Sequence, residues 1–160
     1  PHLATLTRWR IRVLKRILAF VVAVLGGYVF AVLAYSQLNL INLTDMGVTV
    51  GFYDRFGIFA HDVLSMTRMY LPIMTVALLV AFLFAALVLR WVPHLRTLGY
   101  VLAGATGMFA VILFFKVGMG THPIAVTRTL VGLVSQGLAG AVAGLVYVWV
   151  SQRLSSDAAP

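Results

Sequence analysis

The chain has 160 residues, a net charge of +8 at pH 7 and no cysteine; 62% of its residues are hydrophobic and 10% are charged. A soluble domain carries about a quarter charged and roughly half apolar residues, so this composition excludes one. Intrinsic disorder is excluded as well, because it requires low hydrophobicity. The lack of cysteine excludes disulfides, thiolate metal sites and a cysteine nucleophile.

Four apolar stretches are long enough to cross a bilayer as helices, which takes about 20 residues. They are residues 17–35, 69–89, 98–115 and 130–150, and none of them contains a formal charge. The runs are continuous and do not alternate as the strands of a membrane barrel do. Helices also satisfy their own backbone groups, which lipid cannot do. The sequence therefore predicts an all-α membrane protein, with one four-helix bundle domain over residues 1–160.

The basic residues cluster at the ends of these stretches, and such a bias indicates orientation. The side that carries the N-terminus holds eight of the twelve: Arg8, Arg10, Arg12, Lys15, Arg16, Arg90, Arg96 and Arg153. This predicts cytoplasmic termini in a bacterial inner membrane. It also explains the net charge without nucleic-acid binding, which needs a solvated basic patch on a folded face.

Small residues recur four apart along every span, which keeps them on one helix face. Such faces let helix backbones approach each other closely in lipid. The glycines predicted to form helix-packing interfaces are Gly27, Gly99, Gly107, Gly137, Gly140 and Gly144. Two interpretations are open. Either all these faces form the core of the bundle, or the face with Gly137, Gly140 and Gly144 contacts a second subunit.

The long connection over residues 36–68 has helical periodicity. Its apolar face holds Phe52, Phe56, Phe59, Val63 and Met66, and its polar face holds Asp54, Gly57, His61, Ser65 and Arg68. This pattern predicts an interfacial amphipathic helix over about residues 51–67. We expect it to act as a lid on the side opposite the termini, either anchoring the bundle or covering a ligand.

A candidate ligand site lies on that opposite side. Arg68, Lys116 and Arg128 flank the spans there, and arginine is well suited to phosphate and carboxylate groups. Gln136 is the best polar candidate within a span, for an inter-helix hydrogen bond or a ligand contact. The ligand would be an anionic lipid head group, a quinone or a small anion. Alternatively, the cations extend to the interface and pair with aspartates.

A candidate metal site on the same side combines His61, Asp62 and His122, because imidazole and carboxylate are the strong ligands left without cysteine. Its weakness is that the histidines are far apart in sequence. A catalytic triad of Asp54, His61 and Ser65 is disfavoured, because Asp54 lies about 10 Å from His61 along a helix. The spans contain no histidine for haem ligation and no ionisable residue of the kind that ion-coupled transporters keep.

Three functional hypotheses follow. The first is a non-catalytic accessory or scaffold subunit, which packs through small-residue faces in a larger membrane assembly or on itself. The second is a small homo-oligomeric channel or carrier for a lipid-like or anionic ligand. The third is an enzyme with a metal or quinone site on the lid side. The expected partners are the bilayer and other membrane subunits or further copies of the chain, and no cofactor is indicated.

Overall fold

The computed structural model describes residues 2–45, 51–118 and 129–156. Within these ranges the chain forms helices and no strand. The elements are α1 (His2–Asp45), α2 (Phe52–Thr67), α3 (Tyr70–Val88), a 3₁₀ turn (Pro93–Leu95), α4 (Arg96–Gly118) and α5 (Leu130–Ser156). Four of the helices are long and apolar enough to cross a membrane, and α2 is the short helix in the long connection. The predicted fold class is confirmed.

The first helix is longer than the sequence predicts. α1 has 44 residues, which is roughly 66 Å at the α-helical rise, whereas the hydrocarbon core of a bilayer is about 30 Å thick. Residues 36–45, which the sequence assigns to the connection, belong to this helix. Ser36 and Leu40 lie one turn apart and are only 2% and 6% exposed. This buried face explains why the helix continues through a polar stretch.

The four long helices alternate in direction. α5 packs extensively against both α1 and α4, and α3 packs mainly against α4. α1 and α3 contact each other much less. The connection between α3 and α4 contains Pro93 in the 3₁₀ turn, and it joins these two helices as antiparallel neighbours. Because α1 and α3 have limited contact, a gap is left in the side of the bundle.

Two ends of the bundle differ in chemistry. The basic end comprises the first turns of α1, the connection between α3 and α4, and the last turns of α5. There the ammonium of Lys15 donates a 2.5 Å hydrogen bond to the carbonyl of Leu154, and a cation is favoured at a helix C-terminus. The lid end comprises the second half of α1, α2 and the first turn of α3.

Glycines bring α4 and α5 into backbone contact. A methyl group at Gly104 would overlap the carbonyl oxygen of Gly140, and one at Gly144 would overlap that of Tyr100. Gly140 in turn faces the backbone of Gly104. Larger side chains at these positions would force the two helices apart, because packed interiors have little spare volume.

The other small positions also face helices of the same chain. A Cβ at Gly27 would lie 2.7 Å from that of Ala143, and one at Gly107 would lie 2.7 Å from that of Ala81. Gly137 faces the ring of Phe109, and Gly99 faces Leu89. The face with Gly137, Gly140 and Gly144 is therefore occupied by α4. A second subunit would have to use another surface.

Helix α2 packs alongside the second half of α1. The Tyr28 hydroxyl donates a 2.6 Å hydrogen bond to the Val63 carbonyl and lies 3.0 Å from the Thr67 hydroxyl. Phe59 and Val63 pack against the core, whereas Phe56 is 71% exposed. The predicted apolar face of α2 is thus divided between the bundle and its surroundings.

Candidate functional site

Three residues of the predicted ligand site, Arg68, Lys116 and Gln136, lie in the described part of the chain. Arg68 and Lys116 are exposed, whereas Gln136 is only 1% exposed. Gln136 accepts a 2.5 Å hydrogen bond from the Tyr70 hydroxyl through its Oε1 atom. This hydrogen bond joins α3 to α5. Arg128 lies outside the described residues.

The predicted metal site remains a prediction. His61 is exposed on α2, while the side chain of Asp62 and the whole of His122 lie outside the described part. Among the described residues, no group of three histidine or acidic side chains is arranged to hold a metal ion.

A groove at the basic end is large enough to hold a ligand. Its volume is about 750 Å³, and it lies where α1 and α3 separate, with α4 and α5 behind them. Pockets for small organic ligands typically measure about 300–1,000 Å³. The groove therefore has the size of a ligand pocket, and it is formed by residues from four helices.

Aromatic side chains form the inner wall of this groove. Phe82 on α3 contacts Phe20 edge-on, with ring centroids 6.0 Å apart, and contacts Tyr100 in the same way at 5.5 Å. The rings of Tyr100 and Tyr147 lie 4.8 Å apart. Edge-to-face aromatic contacts of this kind favour a fixed geometry. The wall of the groove is therefore preformed and largely apolar.

The groove is open towards the side of the bundle. Ile17 on α1 and Leu83 and Leu87 on α3 line it, and they are 53%, 64% and 53% exposed. In a membrane these exposed apolar residues contact lipid chains. An apolar chain could therefore enter the groove laterally, between α1 and α3, without crossing water.

Three arginines line the same groove, namely Arg16, Arg90 and Arg96. They come from α1, from the connection and from the start of α4, and all three are exposed. The described residues at this end include no acidic side chain, because Asp45, Asp54 and Asp62 lie at the lid end and Asp157 lies outside the described ranges. The arginines therefore give the groove a concentrated positive charge, with no carboxylate among the described residues of this end.

Two of these arginines line the groove together with Tyr100. Arg96 lies one turn before Tyr100 on α4, and Arg16 lines the groove from α1. Arg96 is also held by Ser151 on α5, whose Oγ accepts a 3.0 Å hydrogen bond from its Nη2. The site thus combines an apolar channel with guanidinium groups at one end. This arrangement is complementary to an anionic amphiphile, which has an apolar chain and a negatively charged head group.

Sequence reasoning missed this site and favoured the opposite end. In the sequence, the three arginines indicate only orientation. Arg16 and Arg90 are 74 positions apart, and no motif links them. One signal in the sequence points to the site. Tyr147 is a polar aromatic residue within a span, and its ring contacts those of Phe82 and Tyr100 when α3, α4 and α5 pack as antiparallel neighbours.

Comparison with known proteins yields no relative. No family model matches the chain, no curated protein matches its sequence, and no solved structure matches its fold.

Proposed function

We propose that the chain is a non-catalytic integral membrane protein that binds a lipid-like anionic ligand in the groove at its basic end. The observation that carries this proposal is the position of Arg16, Arg90 and Arg96 at a laterally open apolar groove. The apolar walls suit a hydrocarbon chain, and the guanidinium groups suit an anionic head group. The proposal corresponds to the carrier hypothesis from the sequence, with the ligand site moved to the other end.

The placement in the membrane is part of the proposal. The excess of Lys and Arg at the basic end favours a cytoplasmic position for that end and for both termini. A ligand would then come from the cytoplasmic leaflet of the bacterial inner membrane. The negative surface potential of that leaflet attracts juxtamembrane basic segments, which adds to the attraction for an anionic head group.

An accessory role in a larger assembly stays a prediction. The glycine faces that were expected to contact a partner are occupied within the bundle, so they lend it no support. A partner would instead contact the outer faces of the helices.

The test is native mass spectrometry of the protein after extraction from its membrane in a mild detergent. We expect retained anionic lipid on the unaltered protein and its loss from the double variant R16Q/R96Q. The matched control is R10Q/R12Q, which removes the same charge from exposed positions of α1 that do not line the groove.

Three results would decide the matter. Equal retention by both double variants would contradict a site in the groove. Absence of retained lipid from the unaltered protein would contradict the proposed function itself. A fixed stoichiometry with other protein chains would support the accessory-subunit hypothesis instead.

A further inference from the structure

We infer that the head group held in the basic groove is a terminal phosphate, meaning a phosphate monoester or a diphosphate, rather than a phosphodiester. This inference rests on the proposed function and makes it more specific. It concerns the chemical class of the ligand, and it follows from the charge and the hydrogen-bonding capacity of the groove.

The charge of the groove favours a multiply charged anion. Three guanidinium groups line it, and the described residues of this end offer no carboxylate to balance them. A terminal phosphate carries about −1.5 to −2 charges at neutral pH, whereas a phosphodiester carries one. A phosphodiester would therefore leave more of the positive charge of the three arginines uncompensated.

The geometry of the arginines favours the same ligand. A guanidinium group binds two oxygens of one phosphate through parallel hydrogen bonds. Arg16 from α1 and Arg96 from the start of α4 line one groove, so a phosphate bound between them would contact both guanidinium groups. A terminal phosphate presents three free oxygens to two such groups, whereas a phosphodiester presents two. The terminal phosphate therefore fits a pair of arginines better.

The wall of the groove keeps these donors in place. Arg96 uses one of its five N–H donors for Ser151, and the others remain available for a ligand. Ser151 in turn donates a 2.9 Å hydrogen bond to the carbonyl of Val148 in its own helix. The guanidinium of Arg96 is thus anchored to α5, and less side-chain entropy is lost when it binds a phosphate.

The experiment compares two lipids that differ only in the head group. Vesicles of phosphatidylcholine contain equal small fractions of phosphatidic acid, which has a phosphate monoester, and phosphatidylglycerol, which is a phosphodiester, with identical acyl chains. The protein is reconstituted, extracted in mild detergent and analysed by native mass spectrometry. We expect phosphatidic acid to be retained about tenfold more than phosphatidylglycerol, a ratio that corresponds to about 1.4 kcal/mol.

Two variants separate charge from geometry. R16K/R96K keeps both positive charges but lacks the planar fork of donors, so we expect it to retain anionic lipid with little preference between the two head groups. R10Q/R12Q serves as the control and should keep the full preference. Circular dichroism of each variant verifies that the helices are intact.

The outcomes distinguish the inference from the proposed function. Equal retention of the two anionic lipids, lost from R16Q/R96Q, would overturn the terminal-phosphate inference and leave the proposed function standing. Retention of neither lipid above phosphatidylcholine would overturn both. An unchanged preference in R16K/R96K would overturn the argument from the guanidinium geometry.

Discussion

The guanidinium of Arg96, at the first residue of α4, donates a 3.0 Å hydrogen bond to the hydroxyl of Ser151 near the end of α5. Ser151 is 6% exposed, whereas Arg96 is exposed at the groove. The buried residue therefore fixes the position of the exposed one. The packing of α4 on α5 depends on glycines. Through the hydrogen bond between Arg96 and Ser151, this packing also determines where a positive charge lies in the groove.

Replacing Ser151 with alanine removes this anchor without removing a charge. We expect S151A to bind the phosphate-bearing lipid about threefold to tenfold more weakly, because Arg96 then has to be ordered by the ligand itself. The stability of the variant should fall by no more than about 1 kcal/mol, the usual net value of one hydrogen bond. Lipid titration followed by native mass spectrometry measures the first effect, and thermal unfolding in detergent measures the second.

Filling the groove should prevent binding while leaving its charge intact. Ala86 lines the groove from α3 and is exposed, so A86F places a large ring in the space for the lipid chain. We expect loss of most retained lipid. Ala110 on α4 is also exposed and does not line the groove, so A110F is the matched control. Equal effects of the two substitutions on lipid retention would argue against a specific groove.

The contact between Tyr70 and Gln136 makes a separate prediction about stability. Within the described structure, the Nε2 atom of Gln136 is buried and has no hydrogen-bond partner, whereas Oε1 accepts from Tyr70. Y70F would leave the whole amide without a partner, and we expect it to destabilise the protein by about 1 kcal/mol.

The double variant Y70F/Q136L tests this reasoning. It replaces both partners with apolar groups, so we expect it to be at least as stable as Y70F alone. Unfolding in mixed micelles of the single variants and the double variant gives the coupling energy. A coupling energy of zero would show that the hydrogen bond contributes nothing in the membrane.

The close approach of α4 and α5 should make Gly140 intolerant of substitution. G140A places a methyl group against the backbone of Gly104, which cannot rotate away, and overpacking of this kind costs about 1–3 kcal/mol. G26A is the control, because its methyl group would lie 3.4 Å from the side chain of Val146, an ordinary contact. Thermal unfolding in one detergent should show a clear decrease for G140A and a shift within about 1 kcal/mol for G26A.

Most of the fold was accessible from the sequence because each span is a continuous apolar run of bilayer length. The start of α5 at Leu130, for example, agrees with the predicted span over residues 130–150. The extension of α1 to Asp45 was not accessible, because its polar residues resemble a loop until Ser36 and Leu40 are seen to be buried.

The candidate site was largely inaccessible for a different reason. Its arginines belong to three segments of the chain. The proximity of these segments depends on which two helices do not pack closely against each other. The short connection between α3 and α4 makes these helices neighbours, but nothing in the sequence shows that α1 and α3 separate on the basic side of the contact between Phe20 and Phe82. Glycine spacing identified small helix faces but could not assign each face to a partner helix.

The most direct test of the account is the location of the ligand on the protein. Phosphatidic acid with a photoreactive group near the head of one acyl chain is added to the reconstituted protein, irradiated and mapped by peptide mass spectrometry. We expect cross-links concentrated in residues 13–20 of α1 and in residues 79–90, which cover the end of α3 and the start of the connection to α4. A uniform distribution that includes equally exposed residues outside the groove, such as Leu113 and Phe114 on α4, would contradict this expectation.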